Sequence, residues 1–189
     1  MQKNHAAVQT MVISALLAAI GIAIPMFSPV KLIIGPASYT LASHVPIFIA
    51  MFLSPAVAVA VSLVTTVGFL LGGFPIVIVL RALTHVLFAV LGAAFLQKRP
   101  NTLNNPSQWI VFASCVSVIH ALMEVLVVIP FYYGGGLSSA SYSSGFFVTV
   151  VALVGLGGWV HSMVDFVLAL WVWKALRTTH RIPLGGGAA

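Results

Sequence analysis

Three apolar stretches of this chain each carry two ionisable side chains four residues apart: Arg81 with His85, His120 with Glu124, and His161 with Asp165. In a helix, positions i and i+4 stack on one face, so each pair makes a short polar stripe on an apolar rod. Glu124 and Asp165 are the only acidic residues in the protein, and His44 adds an ionisable group to an earlier apolar stretch. Charged groups at bilayer depth are costly, so they face a bundle interior and mark a substrate or ion path. The chemistry they offer is recognition. An Arg fork suits a carboxylate held at two points; a Glu opposite it suits a hydroxyl, an amine or a ring N–H. Arg81 and Glu124 can equally form a structural ion pair, and each His can act as an interhelical hydrogen-bonder. His and carboxylate also suit zinc or nickel. However, HExxH is absent, and the first histidine, His5, is not the early His of a nickel- or cobalt-capturing arm. The reading is therefore of no metal and no cofactor. No GxSxG elbow is present, and Ser138, Ser139, Ser141, Ser143 and Ser144 read as flexible loop.

The elements that position these groups follow from composition. Of 189 residues, 61% are hydrophobic and only 5% charged. A soluble domain carries about 25% charged residues, so this chain cannot cover a water-facing surface and reads as an integral membrane protein. At roughly 20 apolar residues per spanning helix, the length allows about six or seven spans. The expectation is an all-α bundle of six transmembrane helices forming one domain, residues 1–182, with a disordered tail at 183–189. No extramembrane stretch is long enough for an ATPase or catalytic domain. The net charge of +6 reflects basic residues flanking spans rather than a nucleic-acid surface. Cys115, alone in an apolar run, reads as inert packing. The N-terminal apolar run after Lys3 lacks a clear cleavage site and reads as a retained first helix.

Pro, Gly and charge set the breaks. Spans are expected at about Thr10 to Phe27, Ala37 to Leu53, Ala56 to Leu71, Ile76 to Gln97, Gln108 to Pro130, and within Phe146 to Leu176. In the last stretch Gly155, Gly157 and Gly158 predict a kink or a loop at its outer part. Ser28 to Pro36 reads as a semi-apolar loop, and Phe131 to Gly145 as a long Gly/Ser/Tyr loop. Six spans put both termini on one side, with Lys3, Lys98, Arg99, Lys174, Arg177 and Arg181, against only Lys31 on the other. The positive-inside rule makes that side cytoplasmic, with Trp109, Trp171 and Trp173 as its aromatic belt. At ~1.5 Å per residue, Arg81 and Glu124 lie roughly 8–10 Å below the outer boundary, with His85, His120 and His161 about a turn deeper. Asp165 is expected nearer the bilayer centre. The implied site is a polar pocket in the outer half of the bundle. Phe131, Tyr132, Tyr133, Tyr142, Phe146 and Phe147 read as an interfacial belt that can also wall a flat ring.

Ala15, Ala19 and Ala23 sit four apart on the first span, a spacing that lets another helix approach closely or serves internal packing. That helix, a capping loop after it, six short spans, the block ASYTLASHVPIFIAMFL from Ala37 to Leu53 and GGFPIVIVLRALTH from Gly72 to His85 together resemble the substrate-binding S components of energy-coupling factor (ECF) vitamin transporters. The resemblance covers almost the whole chain. It implies capture of a vitamin or precursor in the outer half of the bundle, without an ATPase of its own. It implies docking through Ala15, Ala19 and Ala23 onto a membrane coupling subunit driven by two cytoplasmic ATPases, in a bacterial cytoplasmic membrane. The pocket carried over comprises His44, Arg81, His85, His120, Glu124 and His161.

So ionisable a site suits a small polar ring better than riboflavin or cobalamin. Hydroxymethylpyrimidine or pyridoxine is the first expectation, and niacin or pantothenate, through Arg81 and a carboxylate, the next. If Glu124 neutralises Arg81, the carboxylate argument collapses. Two other classes stay open: a standalone proton-coupled carrier using Glu124 or Asp165, and an intramembrane enzyme using the His/carboxylate pairs as acid and base.

Overall fold

The computed structural model describes residues 2–179. The tail placed at 183–189 lies outside them. The described residues form seven α-helices, a two-stranded β-hairpin and one π-helical segment. Helix α1 (Gln2–Phe27) leads to strands β1 (Lys31–Ile34) and β2 (Ala37–Thr40), then to α2 (Val45–Leu53), α3 (Pro55–Leu71) and α4 (Ile76–Lys98). A short 3-10 turn precedes α5 (Pro106–Tyr133), which is followed by α6 (Ser139–Ser143), the π-helix Phe147–Gly157 and α7 (Gly158–Thr179).

The predicted breaks hold where their chemistry is unambiguous. Pro55 opens α3 at a position whose N–H needs no partner, and the Ser54 hydroxyl caps it by accepting from Val57 N–H. Asn105 caps α5 ahead of Pro106 in the same way, accepting from Ser107 N–H. Four stretches are long and apolar enough to cross a membrane: Ala7–Phe27, Ile76–Lys98, Pro106–Tyr133 and Phe147–Thr178; α3 is a shorter apolar helix. Large exposed apolar side chains, among them Leu16, Leu71, Leu122 and Trp171, give the bundle the oily outer surface that lipid requires. Cys115 is also on that outer face rather than in the packing.

The second expected span is corrected. Its first part, Ala37 to Thr40, is the β2 strand, paired antiparallel with β1 in the register Ile34 with Ala37 and Lys31 with Thr40. The hairpin turn is Gly35-Pro36. Gly35 has φ +56, which favours glycine, and Pro36 holds the next φ negative, the combination of a type II′ turn. The helix proper, α2, has only nine residues, and six of them, Pro46 to Met51, are buried. A helix that is apolar all round belongs in a core, and α2 is the central post of the bundle. It packs against α1, α3, α4 and α7. Phe48 meets Phe166 with ring centroids 5.1 Å apart and Phe88 at 5.7 Å, forming an aromatic layer across α2, α4 and α7.

The glycine-rich outer part of the last span is helical rather than loop. It is a continuous π-helix that passes into α7 at Gly158. Thr149 Oγ1 donates to the Ser141 carbonyl at 2.6 Å and ties it to α6. The aromatic belt is also corrected. Only Trp171 is exposed; Trp173 is buried against Phe52, and Trp109 stacks half-buried on Phe166.

Candidate ligand-binding site

The tertiary structure gathers the predicted groups. Arg81 and His85 come from α4, His120 and Glu124 from α5, His161 and Asp165 from α7, and His44 from the residue that opens α2. A cavity of about 480 Å³ lies between them and the β-hairpin, within the ordinary range for small-molecule sites. His44, Arg81, His85, Glu124 and His161 line it. His120 does not; it is 1% exposed and packs behind, its ring centroid 4.6 Å from that of His44 and 5.0 Å from that of His85.

Arg81 and Glu124 form a two-point ion pair. Arg81 Nε donates to Oε1 at 3.1 Å and Nη2 to Oε2 at 2.9 Å, while Nη1 donates to the Pro36 carbonyl at 2.8 Å. One fork therefore joins α4, α5 and the hairpin turn. Three of the five guanidinium N–H donors are committed, and the charge is neutralised. The expectation that Arg81 alone receives a ligand carboxylate therefore loses its basis.

Asp165 serves the turn that leads into α2. It is fully buried, and its carboxylate accepts from the backbone N–H of Ala42 at 2.8 Å and of His44 at 2.9 Å, with His44 Nδ1 at 3.0 Å. These amides lie in the turn between β2 and α2, where the first helical N–H groups lack partners. An anion there satisfies them and complements the helix dipole. His161 Nε2 lies 3.2 Å from Ser43 Oγ and 3.5 Å from Asp165 Oδ2.

The histidines rest on the aromatic layer. His85 meets Phe88 at 5.5 Å and His120 meets Phe88 at 5.0 Å between ring centroids. Neither ring nitrogen of His85 or His120 has a hydrogen-bond partner among the described residues. Their closest charged neighbour is Glu124 Oε1, 3.4 Å from His120 Nε2 and 3.8 Å from His85 Nε2.

Three further groups on the cavity wall were missed by sequence reasoning. Lys31 donates from Nζ to the Pro25 carbonyl at 2.6 Å. Tyr39 tilts against His161 at 5.5 Å and donates its hydroxyl to the Leu153 carbonyl. Phe69 and Phe74 stack at 4.6 Å. The signal for the first two was present: an Ile-Ile run before Gly-Pro followed by Tyr and Thr is a hairpin pattern. Gly157 belongs to this arrangement, because a Cβ there would collide with the Tyr39 hydroxyl. The cluster of Phe131, Tyr132, Tyr133, Tyr142, Phe146 and Phe147 does not line the cavity. Within it Tyr132, Tyr142, Tyr133 and Phe146 pack on one another.

Ala15 and Ala19 are exposed and Ala23 is half-buried, so the first two are not consumed by internal packing. A groove beside them runs between α1 and α3, lined by Ala15, Ala18, Ala56 and Ala60 among others.

Comparison with known proteins finds the niacin transporter NiaX of Lactococcus lactis subsp. cremoris (strain MG1363). It is 43% identical over 183 residues, which cover 97% of this chain and 81% of that protein. The chain belongs to the NiaX family. It is a multi-pass cell-membrane transport protein and not an enzyme. This bears out the resemblance to vitamin-transporter S components, but it gives no support to the hydroxymethylpyrimidine or pyridoxine type placed first. No protein-family model matches the chain, and no solved structure gives a significant match.

Proposed function

We propose that this chain captures niacin and presents it for import as the substrate-binding subunit of an ATP-driven ECF transporter. The observation that carries the reading is the single chamber in which Arg81, Glu124, His44, His85 and His161 converge from four helices beneath the hairpin. The name of the relative supports the choice of vitamin. Niacin is a flat ring with a carboxylate and a ring nitrogen. Phe69, Phe74 and Tyr39 offer it aromatic walls, and the histidines offer donors or acceptors to the ring nitrogen. For the carboxylate, Arg81 keeps two uncommitted N–H donors, but its charge is already answered by Glu124. Lys31, on the same wall and with a carbonyl as its only partner among the described residues, is a cation with charge to spare. The pocket residues are thus His44, Arg81, His85, Glu124 and His161 with Lys31 and Tyr39, and His120 as the buttress behind His44 and His85.

The docking partner in this reading is a membrane coupling subunit, reached through Ala15, Ala19 and Ala23, with two cytoplasmic ATPases behind it. The bundle makes six crossings, counting the hairpin with α2 and the π-helix with α7 each as one, and both termini are cytoplasmic. The standalone carrier is disfavoured because both its candidate proton sites are committed: Glu124 to Arg81, and Asp165 to two backbone amides.

Calorimetry on the purified chain tests the reading. Niacin is expected to bind tightly, with nicotinamide and pyridoxine at least tenfold weaker, a margin of about 1.4 kcal/mol. Lys31→Gln is expected to weaken niacin a few-fold and to remove most of the salt dependence of binding. Tight pyridoxine binding with no niacin binding would overturn the choice of vitamin. Niacin uptake into liposomes by this chain alone, driven by a pH gradient, would overturn the subunit role.

A further inference from the structure

We propose that His44, His85 and His120 form a binding site for one divalent transition metal ion of the zinc class. The three imidazoles come from the start of α2, from α4 and from α5, and each offers a ring nitrogen within 4.8 Å of the other two. Their ring centroids are 4.6, 4.9 and 5.0 Å apart. A metal bound at about 2.0–2.1 Å places an imidazole centroid about 3.2 Å away, so three tetrahedrally disposed rings stand about 5 Å apart. The ring spacing is close to that figure, and binding requires the nitrogens, now within 4.8 Å of one another, to draw in to about 3.3 Å.

Hydrogen bonding separates this reading from simple packing. An interhelical hydrogen-bonder needs a partner, and His85 and His120 have none at either ring nitrogen among the described residues, although both are buried. His44 is different in a telling way. Its Nδ1 faces the Asp165 carboxylate at 3.0 Å, which orients the ring and leaves Nε2 as the nitrogen that carboxylate does not engage. A carboxylate behind a ligating imidazole is the common arrangement at metal centres, because it sets the tautomer and raises basicity. Glu124 stands 3.4 Å from His120 and 3.8 Å from His85 and supplies further negative charge. An all-imidazole set selects zinc, cobalt, nickel or copper over magnesium and calcium, which need oxygen. A second grouping, His44, His161 and Asp165, is less suited, since the Asp165 oxygens already accept from backbone amides. His44 and His85 line the cavity, so the metal lies at its wall with a route for entry.

The test uses the full chain without an affinity tag and with His5→Gln and His180→Gln, leaving the four internal histidines. After chelator treatment it is titrated with Co²⁺ alone, without vitamin. One cobalt per chain is expected, with the intense visible bands of a four-coordinate ion, displaced by Zn²⁺. His120→Gln is expected to weaken cobalt binding at least tenfold. Because a variant can fail by misfolding, X-ray absorption on the zinc-loaded chain with its internal histidines intact provides a second reading, with three imidazoles expected in the shell. Sub-stoichiometric cobalt, unchanged binding by His120→Gln, or fewer than three imidazoles would overturn the site. Niacin binding plays no part in these measurements, so the metal site and the niacin reading can each fail alone.

Discussion

Two polar clusters share the same wall of the bundle, and they are finished to different degrees. In the first, Arg81 and Glu124 satisfy each other at two points, and Pro36 takes a third donor. In the second, a few ångströms away, His85 and His120 are buried with no hydrogen-bond partner on either ring among the described residues. A polar group in an apolar interior costs free energy unless it is partnered. The first cluster offsets that cost within the fold, and the second leaves it standing. The first therefore holds the helices and hairpin together, and the second is the part of the wall with bonding capacity left for something that enters.

The comparison can be broken most directly at Arg81. Removing one member of a buried pair strands the other charge, a loss of about 3–5 kcal/mol. Arg81→Ala and Glu124→Ala are expected to lower the unfolding temperature sharply in detergent, and Arg81→Leu with Glu124→Leu to recover much of it. Arg81→Ala is also expected to weaken niacin more than tenfold, because the hairpin loses its tether at Pro36. A single variant as stable as the parent would mean that the pair does not hold the fold.

Asp165→Asn comes next. It keeps the shape but loses an acceptor and the negative charge that serve the turn before α2, at a cost of about 1–3 kcal/mol. Faster amide hydrogen exchange at Ala42 and His44 is the expected readout; unchanged exchange would remove the capping role.

The histidines should behave in the opposite sense. His85→Leu replaces an unpartnered ring with an apolar group of similar volume, so stability is expected to stay within about 1 kcal/mol, while niacin affinity falls at least tenfold. A large loss of stability with intact binding would invert the comparison and make His85 structural.

The smallest effect on the isolated protein is expected at α1, which contributes no side chain to either cluster. Ala19→Leu adds bulk to an exposed position of α1 and should change neither unfolding temperature nor niacin affinity. Uptake in the assembled transporter is expected to fail. Uptake at the parental rate would remove this face from the docking surface.

How far the sequence could be read varies along the chain, for physical reasons. Spans three to five lie within about two residues of their observed ends at most boundaries, because Pro55, Gly72-Gly73 and Pro106 act locally on the backbone. The hairpin was read as loop and half-span because each strand has only four residues, KLII and ASYT, and hydropathy does not separate such short strands from the helix that follows. The shortness of α2 followed from that error. Trp173 was assigned to the interface from its position near the end of α7, but only packing against Phe52 decides that it is buried. Both partners of the Arg81–Glu124 bond were singled out, yet their spacing on separate helices left pairing and ligand contact equally open.

The amino-acid sequence by itself determined that this is a membrane bundle, since so few charges cannot cover a surface in water. It also determined which residues are too costly to leave facing lipid, since helical periodicity puts each i, i+4 pair on one face. Tertiary structure alone decided which of those groups satisfy one another. That choice depends on distances between different helices, and a hydrogen bond that exists at 2.9 Å is gone a few ångströms farther out.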